Sequence, residues 1–306
     1  MKSLFLSDEG RASMLAWHDR FRDQLPASLV NRRLNTSFGE TQVLVGGPPE
    51  GEAVILLHGA LASSAHVLQE LAPLLERFRV HAVDVIGQSV RSADVQLDVR
   101  RDDYGRWLAE VLDGLELPRA HLVGVSWGGF VAQQLAMVDP SRIDRLVLLV
   151  PAGLVPSPLS SFFQLGWPMM MYRAFPSEAR KRKLLGRLLT TPDDEWGDFL
   201  TDAFRAYRLD MRVPPLTTPE QMAALEAPTL VIAAEDDLSF PGPKLLARAA
   251  EVFPNLTGTE LLPASRHCPP TTDEFRRWSS GRIARFLTER SGALGGVTPR
   301  DASRSS

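Results

Sequence analysis

Residues 120–138, "AHLVGVSWGGFVAQQLAMV", limit the possible folds more than any other stretch of the chain. The first part is an almost unbroken apolar run, which predicts a buried strand, and the part from Trp127 onward has helical spacing. Ser126 lies at the junction, and Gly124 and Gly128 stand two residues to either side of it. A strand that turns directly into a helix needs small neighbours, because side chains there would prevent the backbone from closing up. We therefore predict a sharp strand-turn-helix unit with the Ser126 hydroxyl at its turn.

The same alternation of strand and helix runs through most of the chain. Apolar runs predict strands, beginning with an edge strand at 41–45, and amphipathic segments between them predict helices. Alternation of this kind indicates a mostly parallel central sheet flanked by helices, because right-handed crossovers return the chain to the same end of the sheet. The predicted fold class is therefore α/β. Further strands are expected at 53–59, 80–87, 120–126, 144–150, 227–237 and 257–267, and helices at 66–78, 102–115, 127–138, 243–253 and 272–288.

One segment, residues 151–218, interrupts this alternation. It offers no convincing strand, is dense in Pro, Met and aromatic residues, and has helical patterns in its second half. Because strands and helices resume after it, we predict a helical cap insertion within one core domain formed by residues 1–150 and 219–290. The Gly/Ser-rich tail 291–306 is expected to be disordered.

Composition excludes several classes of function. The formal net charge of -3 gives no electrostatic reason to expect a nucleic-acid partner. The lone cysteine, Cys268, cannot form an internal disulfide, which suits a reducing compartment. The apolar stretch near the N-terminus is too short for a signal peptide, and no stretch approaches the roughly 18 apolar residues of a membrane helix. We expect a cytoplasmic protein with no membrane span.

A serine at a strained turn predicts nucleophilic chemistry if the chain also supplies a base and an acid. Among the six histidines, only His267 follows Ser126, just past the last predicted strand. The preceding strand ends in Glu235, Asp236 and Asp237. We favour Asp237 as the acid that orients the histidine, with Asp236 as the alternative. The chain order is then Ser, Asp, His, and no metal is required.

Five motifs in this order resemble those of the α/β-hydrolase superfamily, and more narrowly its capped carboxylesterase and lipase-like branch. The resemblance extends from Thr41 to Thr288, with two departures in the acid and base loops: Ala234 replaces a usual glycine, and Ser265-Arg266 replaces residues that are usually small. The matching stretches are "LLHGA", "AVDVIGQSVRS", "VGVSWGG", "IAAEDDLSFPG" and "LPASRHCP".

The resemblance assigns further roles position by position. It implies that the backbone N–H groups of Ala60 and Trp127 form an oxyanion hole beside Ser126, where two preorganised donors stabilise developing negative charge. It leaves His58 as a structural residue bonded to nearby backbone. Asp84 is expected to organise a loop rather than to act in catalysis.

A serine hydrolase of carboxylic esters is the reaction that these residues favour. The branches that attack alkyl halides and epoxides carry aspartate in place of Ser126, so they are excluded. Carbon-carbon bond hydrolases of the meta-cleavage type use serine, but they have "HGxGPG" where this chain has "HGALASS". Cofactor-free peroxidase or lyase activity, and a non-catalytic receptor for a small ligand, remain as alternatives. The expected partner is a small apolar ester, with no cofactor.

The predicted cap supplies candidate pocket residues. Phe162, Phe163, Trp167 and Met170 are expected to line an acyl pocket, with packing of the cap onto the core as the alternative. The basic run 180–183 is charged on too many sides to be buried, and it predicts a solvated helix.

Overall fold

The computed structural model describes residues 3–208 and 213–289, and its centre is an eight-stranded sheet. The strand order is β1-β2-β4-β3-β5-β6-β7-β8; β1 and β2 pair antiparallel, β2 pairs antiparallel with β4, and the remaining neighbours are parallel. The predicted α/β class with a mostly parallel sheet is confirmed. The strands are β1 Val30–Thr36, β2 Gly39–Gly46, β3 Ala53–Leu57, β4 Arg79–Val83, β5 Ala120–Val125, β6 Ile143–Leu149, β7 Thr229–Ala234 and β8 Leu256–Leu262.

Helices cover both faces of this sheet. Large side chains from α3, α4 and α10 pack on one face, and those from α1, α2 and α11 pack on the other. β3, β5 and β7 are buried on both faces, which explains why their sequences are continuously apolar. The α-helices are α1 Asp8–Asp23, α2 Ser64–Glu70, α3 Asp103–Gly114, α4 Trp127–Val138, α5 Leu159–Ser161, α6 Trp167–Ala174, α7 Glu178–Leu188, α8 Asp194–Ala206, α9 Pro219–Met222, α10 Gly242–Val252 and α11 Asp273–Thr288.

The first part of the chain differs from the sequence prediction. The strand predicted at 41–45 lies within β2 and is not an edge strand, because the unpredicted β1 pairs outside it. Only Leu34 of β1 is buried, so an apolar pattern could not reveal that strand. Helix α1 was also unpredicted, and the helix predicted at 66–78 ends early and continues as a 3₁₀ turn that contains Pro73 near its start.

The segment between β6 and β7, which we call the β6–β7 insertion, contains α5 to α9, with a π-helical turn at Phe162–Gly166 joining α5 to α6. Backbone hydrogen bonds attach it to the rest of the molecule at several places, beginning with the Ala152 N–H, which donates to the Ser126 carbonyl (3.0 Å). Near the N-terminus, the Leu6 N–H donates to the Ala206 carbonyl (2.8 Å), and the Arg208 N–H donates to the Leu4 carbonyl (2.7 Å). Near β8, the Cys268 N–H donates to the Leu188 carbonyl (2.9 Å).

Two sequence predictions concern regions that bear less directly on the site. The predicted tail 291–306 lies outside the described residues. Within the described ranges, every helix is too short or too polar to cross a membrane.

Candidate active site

Ser126, Asp237 and His267 lie just beyond the carboxyl ends of β5, β7 and β8. These strands are parallel, so their carboxyl ends meet at one edge of the sheet. This edge is where open parallel sheets gather loops that carry functional groups. Residues far apart in sequence are thereby brought into contact.

The turn at Ser126 is strained and closely packed. Its backbone has φ 50° and ψ -110°, a conformation that side-chain-bearing residues rarely adopt and that costs about 1–3 kcal/mol. A Cβ added to Gly124 would lie 2.6 Å from the Gly128 carbonyl oxygen, and one added to Gly128 would lie 2.3 Å from the Leu57 carbonyl oxygen. Both glycines are therefore required by close backbone approach, as the sequence pattern predicts.

The side chains of Ser126, His267 and Asp237 form one hydrogen-bonded chain. Ser126 Oγ lies 3.0 Å from His267 Nε2, and His267 Nδ1 lies 2.7 Å from Asp237 Oδ2. An ionised carboxylate can only accept, so the Nδ1 proton points to Asp237 and Nε2 is free to accept the Ser126 hydroxyl proton. Burial opposes the charged form of His267, but the charge of Asp237 and its hydrogen bond outweigh burial, and the pKa of His267 lies above its ordinary value.

The structure distinguishes the two candidate acids. Asp237 is 3% exposed, and its second oxygen, Oδ1, accepts from the N–H groups of Ser239 (2.7 Å) and Phe240 (3.1 Å). Asp236 is exposed and reaches the base loop only through its backbone, where its N–H donates to the Ser265 carbonyl (2.8 Å). Asp237 is thus the carboxylate fixed against His267.

Of the two residues predicted to donate to an oxyanion, Ala60 borders the cavity beside Ser126 and Trp127 directly follows Ser126 in the chain. Gly59 lies so close that an added Cβ would be 3.5 Å from the Ser126 Cβ, and Ala60 follows it along the wall of the adjacent cavity. Trp127 is the first residue of α4, so its N–H has no acceptor within the helix. Leu61, the next residue, has φ 61° and also borders the cavity.

His58 and Asp84 support this loop without touching the reacting serine. The prediction that His58 bonds to nearby backbone is confirmed, because its Nδ1 lies 2.7 Å from the Gly59 carbonyl oxygen and its Nε2 accepts from the Val85 N–H (2.9 Å). Asp84 accepts from the Ser64 N–H (3.0 Å) and the Ser64 hydroxyl (2.6 Å). This carboxylate therefore ties α2 to the loop after β4, as an organising residue does.

A cavity of about 240 Å³ opens beside Ser126 and is lined mostly by apolar side chains. The sheet edge contributes Gly59, Ala60 and His267, and the base loop contributes Cys268 and two prolines. Burial raises the pKa of the Cys268 thiol to about 12, which favours the protonated thiol at neutral pH. The β6–β7 insertion supplies Leu188, Trp196, Phe199, Leu200 and Phe204.

Comparison with known proteins identifies the family. A family model described as the alpha/beta hydrolase fold matches residues 52–186. RutD of Variovorax paradoxus, named as a carbamate hydrolase, is 30% identical over 234 residues in a match that covers 64% of this chain and 78% of RutD. The chain belongs to the α/β-hydrolase family.

Two carboxylesterases of Bacillus subtilis are also similar to this α/β hydrolase. The protein nap is 31% identical over 150 residues and YbfK is 37% identical over 119 residues, which cover 48% and 39% of this chain. The chain spans 49% of nap and 40% of YbfK, less than half the length of each. The crystal structure of naproxen esterase from Bacillus subtilis has a TM-score of 0.78 at 22% identity and covers 92% of this chain and 99% of its own, which supports the fold.

The predicted pocket residues are placed elsewhere in this α/β hydrolase. Phe162, Phe163, Trp167 and Met170, which the sequence predicts as pocket residues, lie on α6 and the π-helical turn before it, with 44–70% of their surface exposed, and none borders the cavity beside Ser126. The cavity instead receives the apolar face of α8, whose pattern is more strongly amphipathic. A dense run of aromatic residues gave the wrong signal, whereas the helical periodicity of 194–206 pointed to the lining face.

Two polar residues that line the cavity, Glu70 and His66, were not found from the sequence, and Arg266 was noted there only as a departure from the family pattern. Glu70 accepts from the Trp196 Nε1–H (3.0 Å) and pairs with Arg276 (2.7 Å). Burial raises the pKa of Glu70, and these two contacts offset part of that rise. His66 packs against Trp196 with ring centroids 4.2 Å apart. Arg266, one of the departures from the family pattern, donates from Nη1 to the Leu189 carbonyl (2.7 Å) and so attaches the base loop to the insertion.

Proposed function

We propose that this α/β hydrolase cleaves carboxylic esters of small apolar substrates through an acyl-enzyme on Ser126. The observation that carries the proposal is the chain of hydrogen bonds from Ser126 through His267 to Asp237 at the wall of an apolar cavity. The names of nap and YbfK as carboxylesterases give it further support.

In the proposed mechanism, His267 Nε2 removes the proton of the Ser126 hydroxyl as its Oγ attacks the acyl carbonyl. The Asp237 carboxylate stabilises the imidazolium, and the N–H groups of Ala60 and Trp127 hold the oxyanion. His267 then protonates the leaving alcohol. A water molecule, activated by the same base, cleaves the acyl-enzyme and restores Ser126.

We also propose a division of labour within the chain. Residues 1–150 and 219–290 form the core that holds the reacting groups, and residues 151–218 form a cap whose α8 side chains select apolar acyl or alcohol groups. The free Cys268 supports a cytoplasmic site of action.

The test is turnover of a short-chain p-nitrophenyl ester by the wild type and by Ser126→Ala, with Ser141→Ala, an exposed serine, as the matched control. Loss of Ser126 should lower kcat by about 10⁶-fold, while the control keeps full activity. A fluorophosphonate probe should label the wild type on Ser126. Equal turnover by the wild type and Ser126→Ala, or a label on another residue, would reject the mechanism.

A carbamate is a second candidate substrate, favoured by the match that extends over 78% of RutD. A carbamate carbonyl would occupy the same oxyanion site and be attacked by the same serine. Comparing kcat/KM for a p-nitrophenyl ester and a p-nitrophenyl carbamate of equal size separates the two. A higher kcat/KM for the carbamate would make a carbamate, rather than an ester, the proposed substrate.

A further inference from the structure

The solvent-facing side of the helical segment 159–174 is apolar, the reverse of what an ordinary surface helix presents. Leu159, Phe163, Trp167 and Met170 are exposed by 88%, 70%, 50% and 45%, respectively. Their spacing of four, four and three residues places them along one side of the helix. A continuous apolar stripe of this kind on a protein surface marks a site of contact with another body.

The opposite side of the same segment already packs within the insertion. Tyr172 is buried and clusters with Leu184 and Phe204, and Met169 packs against them. The Ser161 hydroxyl bonds to the Leu238 carbonyl. The segment is therefore held by its buried side, and the exposed stripe is not needed for the fold.

Two arginines of α7 contact this helical segment, one beside its end and one near its middle. Arg180 of α7 donates to the Phe175 carbonyl (3.0 Å) with its guanidinium 6.0 Å from the Phe175 ring, and Phe175 is itself 60% exposed. Arg187 bonds to the Gln164 carbonyl. Across the described ranges, Arg180, Arg182 and Lys183 have no carboxylate within ion-pair distance.

We propose that this face, made of the apolar stripe and the basic residues of α7, docks onto an anionic lipid surface. Exposed aromatic and aliphatic side chains would enter the boundary between headgroups and acyl chains, and the exposed cations Arg180, Arg182 and Lys183 would meet the lipid phosphates. A second copy of the chain is a poorer occupant, because a symmetric contact through the stripe would bring two basic helices toward each other. The docking does not depend on ester hydrolysis and is tested separately from it.

The apolar contribution is tested by flotation of the full chain with vesicles of phosphatidylcholine mixed with phosphatidylglycerol. Phe163→Ser combined with Trp167→Ser should weaken binding by at least about tenfold. The matched control combines Val30→Ser with Trp278→Ser, which are 54% and 43% exposed on other elements and should change binding by less than about twofold. Thermal unfolding of each variant checks that the fold is intact.

The charge contribution is tested with Arg180→Glu, Arg182→Glu and Lys183→Glu together. This variant should lose about tenfold or more of its binding to the mixed vesicles, and the wild type should bind much less to phosphatidylcholine alone. The control changes three exposed cations elsewhere, as Lys244→Glu, Arg277→Glu and Arg285→Glu, so that net charge changes by the same amount. It should keep more of its vesicle binding than the α7 variant.

Three results would overturn the proposal. One is a wild type that binds neither kind of vesicle. Another is a control variant that loses as much binding as the variant it is matched to. The third is sedimentation showing a dimer that Phe163→Ser with Trp167→Ser converts to a monomer while vesicle binding is absent, which would assign the face to a second copy.

Discussion

The carboxyl edge of the sheet and the β6–β7 insertion border the same cavity but contribute to it in different ways. The edge supplies groups whose positions follow from the ends of β5, β7 and β8, and they are fixed by hydrogen bonds of 2.7–3.0 Å. The insertion supplies apolar side chains whose placement depends on which helix face turns inward. The difference teaches that strand ends place the predicted reacting groups, whereas helix orientation decides which apolar side chains line the cavity.

After Ser126 itself, the largest expected effect comes from the acid at the sheet edge. Asp237→Asn should lower kcat for the p-nitrophenyl ester by about 10⁴-fold, because an amide no longer holds the imidazole tautomer that the reaction needs. Asp236→Asn is the matched control and should keep nearly full activity, since that side chain is exposed. Loss of activity in Asp236→Asn alone would place the acid one residue earlier.

The pH profile checks the same contact. The raised pKa of His267 puts the rising limb of kcat/KM above pH 6.5, because only the neutral imidazole acts as base. In Asp237→Asn the opposing effect of burial remains while the carboxylate is gone, so the residual activity should rise at lower pH than in the wild type. A profile that does not move would mean that Asp237 does not control this histidine.

Glycine substitutions give the next largest contrast between the two regions. Gly128→Ala at the edge should destabilise the protein by about 3 kcal/mol, since its Cβ would meet the Leu57 backbone. Gly186 lies within α7 with open space around it, and Gly186→Ala should stabilise by about 0.5–1 kcal/mol. Chemical denaturation measures both, and equal stability of the two variants would contradict the close packing at the turn.

Substitution of two phenylalanines compares the face of the insertion that borders the cavity with the face that is exposed. Phe199, 4% exposed, lies among Trp17, Phe21 and His66, and Phe199→Ala should cost about 3 kcal/mol and raise KM more than it lowers kcat. Phe163→Ala should change the free energy of unfolding by less than about 0.5 kcal/mol. Calorimetry with ester kinetics tests the pair, and equal costs would mean that both faces are structural.

A pH-dependent contrast concerns two histidines beside the cavity that should act on stability with opposite sign. Burial, with nearby His58 and Arg276, lowers the pKa of His66 to about 3. The unfolded chain binds a proton there below about pH 6.5 while the folded protein does not, so His66 costs stability, by about 1.4 kcal/mol per pH unit, as the pH falls from 6.5 toward 3. His267, with its raised pKa, adds stability that is present at low pH and is lost as the pH rises through its folded value.

Denaturation of His66→Phe and the wild type across this range isolates the first of these contributions. The variant should lose less stability than the wild type below pH 6.5. Parallel curves would show that His66 is not held neutral in the folded protein.

The sequence predicted the sheet edge well because chain direction alone determines it. Buried parallel strands are continuously apolar, and their ends are marked by turn residues, so Ser126, Asp237 and His267 could be assigned to one edge. The sequence did not determine which of Asp236 and Asp237 faces the histidine, because that depends on the rotation of one loop residue. The edge strand β1 was missed because most of its side chains face solvent.

The sequence did not predict which residues of the insertion line the cavity. Aromatic composition alone does not show which face of a helix turns toward the cavity. Phe163 and Trp167 are as apolar as Phe199 and Trp196, yet only the latter two border the cavity. The distinction depends on long-range contacts such as that of Trp17, whose Nε1–H donates to Asp202 of α8 (2.9 Å). An isolated helical segment gives no information about such partners.

The backbone pairing of Leu4 and Leu6 with the end of α8 has a practical consequence for anyone who alters the chain's beginning. Main-chain hydrogen bonds hold the insertion there and again at Leu188. The insertion can therefore move away from the core only if the hydrogen bonds at both places break. Deleting the first seven residues would remove the hydrogen bonds of Leu4 and Leu6 with the end of α8 and leave Ser126, Asp237 and His267 in the chain. A shortened protein of this kind should therefore accept bulkier molecules without any change to its reacting groups.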